Sequence, residues 1–120
     1  MTEITRRNLE DAALAAGMEI LKWQDVTPIV HCGESAGWWE PVLDDEDAFQ
    51  LIVAIRGSIE VRKHDSWAAV ADYDGDRPGA LMEVEHDGTP CGAARAAREA
   101  IVLCAAEVGR RMREANHGTA

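Results

Sequence analysis

A chain of 120 residues with a formal net charge of −10 fits one α+β domain, residues 1–120, around one hydrophobic core. Apolar residues make up 47% and aromatics only 5%, so Ala, Val, Ile and Leu must fill the interior. The charge disfavours direct binding to nucleic acid or to an anionic membrane, and no stretch approaches the roughly 20 apolar residues that span a bilayer.

The segment 1–7 lacks the apolar run of a secretory signal. Cys32, Cys91 and Cys104 are odd in number and have no CxxC spacing, which fits a reducing compartment; the expected location is cytoplasmic.

Residues 6–16 read as a first helix. Leu9, Ala12, Ala13 and Ala16 recur at helical spacing, Thr5 can cap the start and Gly17 can close the end. Residues 18–23 and 26–31 read as two strands, with Pro28 placing the second at an edge or an irregular position. Residues 32–38 read as a Gly- and Ser-containing loop. Asp44-Asp45-Glu46-Asp47 opens a second helix to about Arg56, with Ala48, Leu51, Ile52 and Ile55 as its buried stripe and Gly57 as its stop. Residues 58–63 alternate, with Ile59 and Val61 on one face and Glu60 and Arg62 on the other.

Residues 67–73 form the next strand candidate. Residues 74–79 are a turn by composition. Residues 81–86 alternate again, with Met82 and Val84 opposite Glu83 and Glu85. The last helix follows Asp87-Gly88. Thr89 caps it, Pro90 suits its first turn, and Ala94, Ala97, Ile101, Ala105, Val108 and Met112 form a stripe. Cys104 lies on that stripe as a small core residue. The stripe can pack on the protein's own sheet or on a second copy, so a monomer and a homodimer both stand. Helix, strands, helix, strands, helix closes most simply as a small, mostly antiparallel sheet packed with three helices.

The charge is uneven. Residues 24–55 carry −7, from Asp25, Glu34, Glu40 and Asp44 to Asp47, with no Lys or Arg. Residues 64–94 carry −6, from Asp65, Asp72, Asp74, Asp76, Glu83, Glu85 and Asp87 against Arg77. The slightly basic strand 56–63 separates the two blocks. The plain reading is solvated acids, with Asp44 to Asp47 complementing a helix dipole. The sharper reading gathers both blocks into one negative face that imitates DNA phosphates and occupies a Lys/Arg groove. On that reading Glu40, Asp44, Asp45, Glu46, Asp47, Asp72, Asp74, Asp76, Glu83 and Glu85 meet a basic partner. In a strand, one tryptophan of the Trp38-Trp39 pair faces out and the other in, and Trp39, beside Glu40, is the candidate anchor; the alternative packs both beneath the Pro41 turn.

Asp72, Asp74, Asp76 and Glu83 fall at positions 1, 3, 5 and 12 of a calcium-type loop, but Arg77 stands where such a loop needs glycine. A hairpin turn is the simpler account. His31, Cys32, His64, His86 and Cys91 have no zinc-pair spacing. The GxxxxGK[ST], GxSxG, HExxH and GxGxxG signatures are missing, so the sequence names no cofactor and no catalytic residue.

Three segments carry a resemblance: the Leu9–Gly17 helix ending in Ala-Ala-Gly, the run WWEPVLDDEDAFQLIVAI, and the helix AAREAIVLCAAEVGRRM. Together, over most of residues 9–113, they resemble small phage and prophage proteins described as the phage ABA sandwich domain group. Trp39-Glu40-Pro41-Val42 stands where the group has its Trp-x-Pro-Leu segment, with Val42 a conservative departure, and strands 58–86 match least. No activity carries over from that group. The resemblance implies a viral accessory protein working in a bacterial host, and such proteins often inhibit host defence. The expected function is therefore an acidic inhibitor of a basic host protein or nucleoprotein complex, such as a CRISPR effector. The alternative is a phage housekeeping or assembly protein whose acids confer solubility.

Overall fold

Thr5 starts the first helix, α1 (Arg6–Ala16), through a reciprocal cap. Its hydroxyl accepts from the Asn8 N–H at 3.1 Å, while Asn8 Oδ1 accepts from the Thr5 N–H at 2.9 Å. Gly17 ends α1 in the left-handed region at φ 73°, and its N–H returns to the carbonyls of Ala13 and Leu14. The computed structural model describes residues 4–25, 27–32, 35–70 and 79–118.

The next three strands, β1 (Glu19–Gln24), β2 (Thr27–Cys32) and β3 (Ser35–Trp38), form an antiparallel sheet in the order β1-β2-β3. Residues 35–38 are thus a strand, where the sequence reads as loop, because they pair with β2 from Cys32↔Ser35 to Ile29↔Trp38. Strand β2 is therefore central rather than an edge. Pro28 is tolerated because the β3 register begins one residue later, and its carbonyl accepts from the Trp39 N–H at 3.1 Å.

Asp44 caps α2 (Asp45–Ala54) by accepting from the Asp47 N–H at 2.9 Å. Ala48, Leu51, Ile52 and Ile55 are all buried, as the spacing predicts. The chain leaves α2 through Arg56 at φ 56° and then Gly57. A side chain on Gly57 would stand 2.6 Å from Ile52 Cδ1 and 3.0 Å from the Ala69 carbonyl, so glycine is required by space.

A second antiparallel sheet follows, β4 (Ser58–Val61), β5 (Asp65–Val70) and β6 (Ala80–Glu85), in that order. The strands therefore make two sheets of three rather than one. Ser66, Ala68 and Val70 are buried and alternate with Asp65, Trp67 and Ala69, so one face of this sheet is core and the other is outward.

Thr89 starts α3 (Pro90–Gly118), accepting from the Gly92 N–H at 3.0 Å. Residues 96, 100–106, 108 and 109 are all buried. A run of seven consecutive buried residues covers every side of a helix, so α3 is enclosed rather than striped. The second sheet lies on one side: the Ser66 hydroxyl donates to the Ala93 carbonyl at 3.5 Å, and Cys104 Sγ reaches the Ala80 carbonyl at 3.8 Å. Helices α1 and α2 lie on the other. A Cβ at Gly109 would fall 1.8 Å from the Asp11 carbonyl, and Arg98 bonds the Val42 carbonyl at 2.8 Å and Asp45 at 2.7 Å. Ala94, expected on the buried stripe, is exposed, and Ala97 is only partly buried, whereas Ala96 between them is fully buried.

Candidate functional site

The first acidic block gathers at the start of α2, where local structure uses most of it. Asp44 is the cap. Asp47 Oδ2 accepts from the Glu40 N–H at 2.9 Å, and Asp45 is paired with Arg98 of α3. Glu46 touches only Gln50 Nε2, at 3.4 Å, and the exposed Glu40 carboxylate has no partner among the described residues. Four carboxylates at a helix N-terminus are in any case stabilised by its dipole, at about 0.3–1 kcal/mol each.

The second block behaves differently. On the outward face of the second sheet Trp67 sits opposite Glu60 on one side and Glu83 on the other, and Asp65 lies opposite Glu85. Opposite residues of an antiparallel pair share a face, so Glu60, Asp65, Glu83 and Glu85 surround Trp67. A single guanidinium serves them. Arg62 stands 3.1 Å from Asp65, 3.7 Å from Glu60 and 3.9 Å from Glu83, with its own plane 5.8 Å from the Trp67 ring. Glu85 has no ion pair among the described residues. The hairpin end below this face is fixed by His86, whose Nε2 lies 2.9 Å from the Arg62 carbonyl while Nδ1 accepts from the Gly88 N–H at 3.0 Å. Next to it, the Thr89 hydroxyl and N–H both bond Asp87, which holds that carboxyl below its usual range.

Among the described residues the two blocks do not converge. Asp45 meets α3 on the side away from the second sheet, whereas the Trp67 face is the far side of that sheet, so a helix layer and a sheet layer lie between them. Glu34, Asp72, Asp74 and Asp76 lie outside the described residues, and with them the calcium-type loop. The tryptophan assignment is reversed. Trp39 is 3% exposed and belongs to the core, while Trp38 is 55% exposed. Trp38 still carries the outward register of β3 against Ile29, and the chain turns in at Trp39.

Sequence reasoning missed Glu60, which it assigned to a basic separating strand. The alternation already set Glu60 and Arg62 on one face; only the pairing of β4 with β5 shows that this face is the acidic one. It also missed Glu99 of α3, which with Glu40 lines a cavity of about 280 Å³ beside Trp39.

Among the described residues no group of three or more His, Cys, Asp or Glu is placed to hold a metal ion, and no helix is long and apolar enough to cross a membrane. Cys91 is exposed at the start of α3; Cys104 is buried, and burial pushes its thiol up to about 11. No protein-family model matches the chain, and no curated protein or solved structure matches it either.

Proposed function

We propose that the protein acts by binding rather than by chemistry, presenting the outward face of the β4–β6 sheet to a basic partner. The observation that carries this reading is the imbalance around Trp67: four carboxylates on one face and a single arginine among them. Along the C-terminal half of α3, by contrast, charges are matched. Arg110 and Arg111 share Glu107, Arg110 also takes Glu114, and Arg113 takes Asp11. A net-negative carboxylate face around a half-buried indole offers a cationic surface both long-range attraction and an apolar anchor.

The partner class is a protein or nucleoprotein complex with a Lys/Arg groove of the kind that tracks a nucleic-acid backbone. Together with the resemblance to small phage proteins, this favours an inhibitor of a host defence complex, such as a CRISPR effector. One acidic face does the work in this reading, not the two-block surface that the sequence invited. A second reading, in which the acids serve solubility in a phage housekeeping or assembly protein, is favoured by the local capping roles of Asp44, Asp45 and Asp47.

The test is a pull-down from a bacterial host at about 50 mM and about 500 mM salt, with the Glu60→Lys, Glu83→Lys, Glu85→Lys triple variant alongside. All three positions are exposed, and circular dichroism checks that the variant stays folded. Expected is recovery of a nucleic-acid-handling complex at low salt that high salt and the variant both abolish. Equal recovery by wild type and variant refutes the assignment.

A further inference from the structure

Four parts of the chain distant in sequence meet at one slot. Ile4 precedes α1 and Leu9 lies in it, Thr27 and Pro28 open β2, Trp39, Pro41 and Val42 belong to the segment between β3 and α2, and Glu99 projects from α3. The slot holds about 280 Å³. That is just under the ~300–1,000 Å³ typical of pockets for drug-sized ligands, and suits one long side chain. Its walls are apolar and fixed, since Trp39, Pro28, Pro41 and Leu9 are buried core residues.

Two carboxylates break the apolar lining. Glu40 is exposed and carries no ion pair among the described residues. Glu99, its side chain 12% exposed, accepts at Oε2 from Arg95 Nη1 at 2.8 Å, which leaves Oε1 without a partner among the described residues. An apolar slot with anionic oxygens selects a ligand with a hydrocarbon stem and a cationic head. The type of cation follows from the oxygens. A guanidinium is best met by both oxygens of one carboxylate in a parallel fork; Glu99, the less exposed of the two, has one oxygen committed to Arg95, which leaves such a fork only at the exposed Glu40. An ammonium is a compact charge with three independently directed donors, and single oxygens from separate carboxylates match it.

We infer that this slot is a docking site for a lysine side chain of the partner protein. The inference rests on the reading that the partner is basic, but it uses a different face from the Trp67 sheet. The lysine stem lies against Trp39 and Pro41, and its ammonium meets Glu99 and Glu40.

The experiment is an NMR titration of the full chain, following the Trp39 indole and the Leu9 methyls. The probes are Nα-acetyl-lysine N-methylamide, the matching norleucine and arginine derivatives, and n-butylamine. Saturable shifts are expected with the lysine derivative in the millimolar range. Norleucine, which lacks the charge, and arginine are each expected to bind at least about tenfold more weakly. Butylamine is expected to bind no more tightly than the lysine derivative. Glu99→Gln and, separately, the surface variant Glu40→Gln should each weaken lysine binding, while the triple sheet variant should leave it unchanged. Norleucine or arginine matching lysine overturns the proposal, as does tighter binding of butylamine, which would make the slot a free-amine pocket. Loss of partner capture in the sheet variant with no saturable lysine shift in the wild type overturns the slot alone, and saturable lysine binding with capture undiminished in the sheet variant overturns the sheet reading alone.

Discussion

Replacing Gly109 with alanine should destabilise the protein strongly, although alanine is the better helix former. The exchange gains about 1 kcal/mol of intrinsic helix propensity. Against that, the new Cβ would sit 1.8 Å from the Asp11 carbonyl oxygen and 2.5 Å from its carbon. These are backbone atoms of α1 and cannot rotate away. Opening the closer contact to 3.0 Å, the least that real Cβ atoms show, parts the two helices by about 1.2 Å at their crossing. Ala12 and Ala13 of α1 and Ala105 and Ala106 of α3, all buried, would lose close contact together. Asp11, itself 5% exposed, would be pulled from Arg113, which it meets at 3.1 and 3.2 Å. Overpacking alone costs about 1–3 kcal/mol, and strain on a partly buried ion pair adds to it. With the overpacking cost near its upper end of about 3 kcal/mol for a contact this short, about 1 regained in helix propensity and up to about 2 added by the strained ion pair, a net loss of about 2–4 kcal/mol is expected. For a domain of this size that lowers Tm by roughly 8–20 °C. Thermal melts followed by circular dichroism, with urea unfolding in parallel, measure it. A variant as stable as wild type, or more stable, would mean that α1 does not cross α3 at Gly109, and the enclosure of α3 would fall with it.

Acid stability should depend on Glu107. Hydrogen bonds from Arg110, then Arg111, hold its carboxyl below the ordinary value of 4.5. A depressed carboxylate contributes stability that is fully present above its unfolded value and is lost as pH falls through the folded one. Glu107→Gln should therefore lower Tm at pH 7 and flatten its decline below about pH 4.5, and parallel melts with an undiminished decline would contradict this. Thiol labelling should separate Cys91 from Cys104. The exposed Cys91 should react in the native state, while Cys104, buried and raised to about 11, should react only on unfolding; peptide mass mapping that finds both labelled at equal rates would contradict the packing.

All three helices were legible in the sequence because their signals are local. Thr5 and Asn8, Asp44 and Asp47, and Thr89 and Gly92 lie three residues apart and settle their hydrogen bonds among themselves. The buried stripe of α2 was equally plain, since a helix facing one core repeats its apolar residues every three or four positions. The stripe on α3 was misleading. Residues 100–106 are apolar apart from nothing that a periodicity could register as a polar face, and the length of that run, rather than its spacing, was the sign of a helix covered on all sides.

The candidate site was less legible. Residues 35–38 carry a glycine and two small residues, poor strand formers, and become β3 only because β2 supplies their hydrogen bonds. Alternation could say that one of Trp38 and Trp39 turns inward but not which, because that depends on where the sheet meets the core.

The sequence by itself determined the α+β class, the order of the elements, the caps and the concentration of acids, all of which follow from composition or from neighbours a few residues apart. Tertiary structure alone decided that the strands divide into two sheets, that the described acids of the two blocks face different ways, and that Glu60 joins Glu83 across Trp67. Those outcomes depend on pairings between strands, such as Glu60 with Trp67 and Trp67 with Glu83, and one-dimensional pattern carries a strand's period but not the identity of its partner.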